Sequence, residues 1–116
     1  PTGYGRVVRA ADGSLERVVE DRDATAEEAA VREVNSSGYV LPVPQSLDIL
    51  RSVGNDNAQQ EIYLTDVVAG LRAAGATVAA SRVGDPALVI GVNSQEELAE
   101  AERLMVSRQS RDGHGA

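Results

Sequence analysis

Between Asn57 and Asp66 the chain reads Asn-Ala-Gln-Gln-Glu-Ile-Tyr-Leu-Thr-Asp, which sets amides, carboxylates and hydroxyls against the start of a strongly amphipathic helix. A fold must hydrogen-bond every polar atom it buries, so such a run is a burden to packing and natural in a ligand site. Two further polar groups fall on expected loops: Asn35-Ser-Ser37 and Asn93. An asparagine carboxamide offers both a donor and an acceptor, and a carboxylate accepts hydrogen bonds from hydroxyls. Each residue also has a plainer role. Gly3-Tyr-Gly5 reads as a turn, Glu20 as a solvated strand end and Asn35 as a turn residue. Asn93 or Ser94 could cap the helix that follows. Tyr63 and Asp66 suit structural roles, by ring packing and by capping or pairing with an arginine.

Composition narrows the chemistry. The net charge of −7 argues against a nucleic-acid partner, because phosphate-backbone binders gather Lys and Arg to displace counterions. All 11 basic residues are arginine, so Schiff-base chemistry and a P-loop lysine are excluded within this segment. With no cysteine there is no disulfide, thiolate nucleophile or Cys-type zinc site, which fits a reducing compartment, and a cytoplasmic location is expected. No apolar run approaches the ~20 residues of a membrane span, so no membrane partner is expected. The single histidine, His114, sits in a polar tail. The chain opens on Pro1 and its only methionine is Met105, so it is expected to be one piece of a longer protein.

The elements that must position these groups follow from local pattern. Arg6-Val-Val-Arg9 and Leu15-Glu-Arg-Val-Val-Glu20 flank Ala11-Asp-Gly-Ser14, and Asp-Gly between β-branched runs predicts a hairpin. Thr25-Ala-Glu-Glu28 is a capping box that opens a short helix to Arg32. A strand is expected over 34–41, then a helix from Pro44 to Val53 with Leu47, Leu50 and Val53 on one face. Leu64, Val67, Val68 and Leu71 follow the i, i+3, i+4, i+7 template, and Gly75 supplies the stop. Strands are expected over 77–81 and 88–92. A second capping box, Ser94-Gln-Glu-Glu97, opens a helix lined by Leu98, Ala101, Leu104 and Met105. Residues 107–116 read as a tail or linker. Alternating strands and helices predict a layered α/β fold carrying a hairpin, in which ligands gather at loops after strand ends.

Taken in order, Pro1-Thr-Gly-Tyr-Gly-Arg6, Val18-Val-Glu20 with Asp23-Ala-Thr25, Glu33-Val-Asn35, Asn57-Ala-Gln-Gln-Glu61 with Tyr63-Leu-Thr-Asp66, and Gly91-Val-Asn93 resemble successive motifs of one family. It is the bacterial bifunctional N-acetylglucosamine-1-phosphate uridyltransferase and glucosamine-1-phosphate acetyltransferase. The resemblance runs from Pro1 to about Arg103 and covers roughly the second half of the uridyltransferase domain. It implies a partial nucleotide-diphospho-sugar transferase fold, Rossmann-like and three-layered (α/β/α), with a mixed sheet. Residues 1–106 would be the sugar-binding half of that domain. The family's glycine-rich nucleotide loop would lie before Pro1, and its left-handed β-helix with the acetyl-coenzyme A site after Ala116.

The implied reaction is attack by the phosphate of N-acetylglucosamine 1-phosphate on the α-phosphorus of UTP, giving UDP-N-acetylglucosamine and pyrophosphate with Mg²⁺. Chemistry of this kind is mostly positioning and charge neutralisation, and it needs no general base from this segment. On the family pattern the Gly5 backbone approaches the sugar, Glu20 accepts from sugar hydroxyls, Asn35 reads hydroxyl and acetamido groups, and Glu61, Tyr63 and Thr65 lie around the sugar phosphate or behind the residues that touch it, Thr65 being the better candidate for contact. Asn93 would supply a carbonyl oxygen to Mg²⁺, alongside an aspartate from the missing N-terminal half. The parent enzyme would be a homotrimer through its β-helix, and this segment alone would be inactive. Two other readings stand beside this one: a single-function nucleotidyltransferase of the same fold acting on another sugar, and a catalytically silent α/β binding or regulatory module.

Overall fold

A computed structural model describes residues 3–112; Pro1, Thr2 and the end of the tail with His114 lie outside the described residues. The chain divides into two units, 1–80 and 81–116. Among the described residues there are four α-helices and one two-stranded antiparallel sheet, an α/β composition.

The hairpin forms where the Asp-Gly signal puts it. Strand β1 (Arg6–Arg9) pairs with β2 (Leu15–Val19), with Arg6 opposite Val19 and Val7 opposite Val18. Gly13 takes φ +83°, a left-handed conformation that suits glycine, while the Ser14 amide donates to the Asp12 carboxylate at 2.9 Å. Val7, Leu15 and Val18 turn to one side and form the core with Val68. Tyr39, Val78 and Ala80 pack against it.

After a 3-10 turn at Asp21–Asp23 comes α1 (Ala26–Ala29), opened by the expected capping box. The Glu28 amide donates to Thr25 Oγ1 at 3.2 Å, and the Thr25 amide to Glu28 Oε2 at 2.8 Å. Helix α2 (Val43–Ser52) buries Ser46 and half-buries Ile49, Leu50 and Val53, whereas Leu47, expected on this face, is exposed. Helix α3 (Asp66–Ala73) buries Val67, Val68 and Leu71 and packs on both β2 and α2. Gly75 ends it as expected, at φ +83°, with the Ala76 amide returning to the Leu71 carbonyl at 3.0 Å. Where α2 and α3 meet, a Cβ at Gly70 would stand 2.4 Å from Ile49 Cγ2, so no larger residue fits without a shift. Arg72, in the last turn of α3, reaches the hairpin and donates to Ser14 Oγ at 2.9 Å and the Leu15 carbonyl at 2.5 Å.

Three expected strands do not form, and no mixed sheet is present among the described residues. The 34–41 run makes only one bridge, Val34 to Arg6. Its carbonyl and amide neighbours complete that bridge, Val7 N to Glu33 O at 2.9 Å and Asn35 N to Gly5 O at 2.8 Å. The Asn35 carboxamide then accepts from Ser37 N at 3.1 Å, and Ser37 at φ +62° turns the chain away. Residues 77–80 lend side chains to the core but find no ladder partner.

In the second unit, Asp85 caps a 3-10 turn at Pro86–Leu88 through the Ala87 amide at 3.1 Å, where a strand was expected to begin. Helix α4 (Gln95–Asp112) starts at its predicted box but continues through the residues read as a tail, as far as Asp112. No helix among the described residues is long and apolar enough to cross a membrane.

Candidate functional site

Four of the five residues singled out by the sequence meet at one end of the hairpin in the first unit. Gly5 lies immediately before β1 and Glu20 immediately after β2, so the antiparallel register brings them together. Gly5 is buried, and a Cβ there would sit 3.3 Å from both Val18 Cγ1 and the Val19 carbonyl and 3.5 Å from Glu20 Oε2. A side chain there would crowd Val18 and the Val19 carbonyl of the paired strand, while its distance to the Glu20 carboxylate would be an ordinary contact. Glu20 Oε1 accepts from Thr65 Oγ1 at 2.9 Å, and Thr65 is 5% exposed at the start of α3. Asn35 joins from the opposite side, its main-chain amide donating to the Gly5 carbonyl at 2.8 Å. The result is a set of carboxylate, hydroxyl, carboxamide and backbone groups that can donate to and accept from a hydroxylated ligand.

Tyr39 extends this group, and residue-type reasoning missed it. Its ring packs on the core while its hydroxyl is buried and makes no hydrogen bond of normal geometry. Burial pushes this phenol above its usual value; the neighbouring Asn35 pulls the other way and the Glu20 charge raises it further.

Beside this group an open cleft of about 390 Å³ is lined by Glu20, Asp23, Asp56, Asn57, Tyr63 and Asp66, among others. Asp23, quoted in a motif but given no role by the sequence, organises one wall. Its carboxylate accepts from the Ala58 amide at 2.7 Å and from Tyr63 Oη at 3.0 Å, and Gln59 Nε2 donates to the same tyrosine oxygen at 3.0 Å. The Asn57 carboxamide closes the loop on itself, accepting from the Gln59 and Glu61 amides at 3.2 Å each. Much of the polar run that stood out in the sequence therefore shapes its own loop. Burial, and then the charge of Asp23, hold the Asp66 carboxyl above the usual carboxylate range. Burial likewise raises the Tyr63 hydroxyl, opposed by Gln59 and reinforced by Asp23.

Asn93 lies in the second unit, just ahead of α4. Of the two residues that could cap this helix, Ser94 does so, its Oγ accepting from the Glu97 amide at 3.2 Å. The Asn93 main-chain amide donates to Glu97 Oε2 at 2.6 Å, and its exposed carboxamide is not used for the cap. Among the described residues no three His, Asp or Glu side chains are grouped to hold a metal ion.

No family model matches the chain. It is 48% identical over 112 residues to the bifunctional protein GlmU of Alkalilimnicola ehrlichii, a match covering 97% of this chain and 24% of that protein. The proteins of the same name from Methylococcus capsulatus (46% over 111 residues, 96% of this chain) and Pelobacter propionicus (45% over 112 residues, 97% of this chain) are matched over the same 24% of their length. The chain thus spans about a quarter of the relatives that it matches.

Proposed function

This chain belongs to the family of the bifunctional protein GlmU, and on that premise we propose that it is the sugar-binding half of a uridyltransferase domain. The longer protein would join UTP and N-acetylglucosamine 1-phosphate into UDP-N-acetylglucosamine, and would also acetylate glucosamine 1-phosphate from acetyl-CoA. Its domain would complete the three-layer α/β/α fold with a mixed sheet, of which the hairpin and the helices α2 and α3 are part. One observation carries the reading: Gly5, Glu20, Asn35 and Thr65, drawn from four separate segments, share direct contacts.

In this reading Glu20 accepts sugar hydroxyls, the Gly5 backbone gives the sugar room to approach, Asn35 reads hydroxyl and acetamido groups, and Thr65, whose hydroxyl donates to Glu20, lies beside the sugar phosphate. Mg²⁺ would be held by the Asn93 carboxamide oxygen together with substrate phosphate and water. An exposed oxygen donor left out of the helix cap suits a cation that characteristically takes only one or two protein oxygens in such sites. Bound there, the ion would neutralise phosphate charge.

The test is a titration of the chain with N-acetylglucosamine 1-phosphate and with UDP-N-acetylglucosamine, with and without Mg²⁺, followed by amide chemical shifts. Movement at Gly5, Glu20, Asn35 and Thr65, with affinity at least ~10-fold weaker in Glu20→Gln, is expected, since a lost hydrogen bond to a charged group is worth about 1.5–3 kcal/mol. Asn93→Ala should abolish the Mg²⁺-dependent part alone. A titration in which these four amides stay still would remove the sugar-site reading.

A further inference from the structure

Arg6 is 3% exposed, the most deeply buried charged side chain among the described residues, and it sits on a strand of the core ribbon. Taking a guanidinium out of water is unfavourable, and well-packed apolar residues in such a position are often as stabilising or more so. What the arginine holds gives its presence a different rationale. Its Nη2 pairs with Asp21 Oδ1 at 3.0 Å, its Nη1 donates to the Tyr4 carbonyl, and Asp21 Oδ2 accepts from the Gly3 amide at 3.0 Å. The pair therefore ties the stretch entering β1 to the stretch leaving β2. Gly5 precedes Arg6 by one residue, and Glu20 precedes Asp21 by one. Pairing of β1 with β2 stops at Arg6 and Val19, and the ion pair begins where that ladder ends.

We propose that the Arg6–Asp21 pair is a positioning device that holds the Gly5 backbone and the Glu20 carboxylate in register for a ligand. The proposal rests on the sugar-phosphate reading for the identity of that ligand, but not for the geometry. Neither residue touches the ligand; both act through their neighbours. Arg6 Nε, buried without a partner, marks how far the guanidinium is committed to this arrangement rather than to its own hydrogen-bonding needs.

Three variants of the chain test this: Asp21→Asn, the mildest because Asp21 is partly exposed; Arg6→Met, which keeps the stem; and Arg6→Lys, which keeps the charge without the fork. In the ligand-free chain, hydrogen exchange of the Asn35 amide, which is bonded to the Gly5 carbonyl, should quicken at least 10-fold in Asp21→Asn and Arg6→Met. The amides of Val68 and Ala74 in and after α3 should keep their rates. Affinity for N-acetylglucosamine 1-phosphate should fall at least 10-fold in the same two variants and recover in part in Arg6→Lys. Unchanged Asn35 exchange and unchanged affinity would overturn the proposal, as would uniform acceleration across all amides, which would mean that the pair only stabilises the fold. A wild-type chain that takes up no sugar phosphate while Asn35 exchange still responds would defeat the ligand reading and uphold the positioning.

Discussion

Helix α3 is eight residues long and buries three of them, whereas α4 runs for eighteen and shows no buried side chain among its described residues. The first is too short to persist alone and exists because Val67, Val68 and Leu71 leave water against β2 and α2. The second is long enough for local terms to count: the Ser94 cap and an i, i+3 pair between Glu100 and Arg103. The two units differ in the same way. Every buried residue among those described belongs to the first, and so do the four residues that meet at the end of the hairpin. Convergence of distant polar groups requires a core to fix them, and helix formation by itself does not.

The contrast is broken most severely at Leu71. Leu71→Ala should cost about 2–5 kcal/mol in denaturant unfolding of the first unit and leave the circular dichroism of α4 largely in place. Gly70→Ala comes next. The overpacking against Ile49, about 1–3 kcal/mol, exceeds the roughly 1 kcal/mol that alanine gains in helix propensity, so a net loss of up to about 2 kcal/mol is expected by the same measurement. In the second unit, Ser94→Ala should cost about 1 kcal/mol and show only as faster hydrogen exchange in the first turn of α4. The smallest effect concerns Asp66, whose pKa is raised in the folded chain by burial and then by Asp23. A carboxyl that binds its proton more tightly when folded makes stability fall as pH rises above about 4 and through its raised folded value. Asp66→Asn should flatten that decline in a pH series of melting temperatures, and an unchanged slope would assign it to other groups.

Elements set by adjacent residues were legible in the sequence. Asp12-Gly13 announced its turn, Thr25 and Ser94 their helices, and Gly75 its stop, because each signal acts within a few residues. The strand expected over 34–41 illustrates the opposite case. Val, Tyr and Leu suit an extended chain, but a strand exists only with a ladder partner, and the Asn35 turn with Ser37 removes the run after one bridge. The same dependence on partners explains the helix face of α2. Leu50 and Val53 are half-buried as the spacing implies, but Ser46 is buried and Ile49 meets α3 at Gly70 while Leu47 stays exposed.

The candidate site divides similarly. Gly5, Glu20, Asn35 and Thr65 were chosen through family motifs; by residue type each had a plainer reading, and only the register of the hairpin shows that they touch. Tyr39 and Asp23 were beyond such reading. The first matters through the buried position of one oxygen, and the second through contacts with residues 35 and 40 positions further along.

Asp23 holds the polar loop at two points. The Ala58 amide and the Tyr63 hydroxyl, which flank the polar loop, end on the two oxygens of a single carboxylate. Two tethers with a common anchor are not independent: releasing the anchor frees both ends together, while cutting one tether leaves the other to carry the segment. The energies of these two bonds are therefore coupled through Asp23 and do not simply sum.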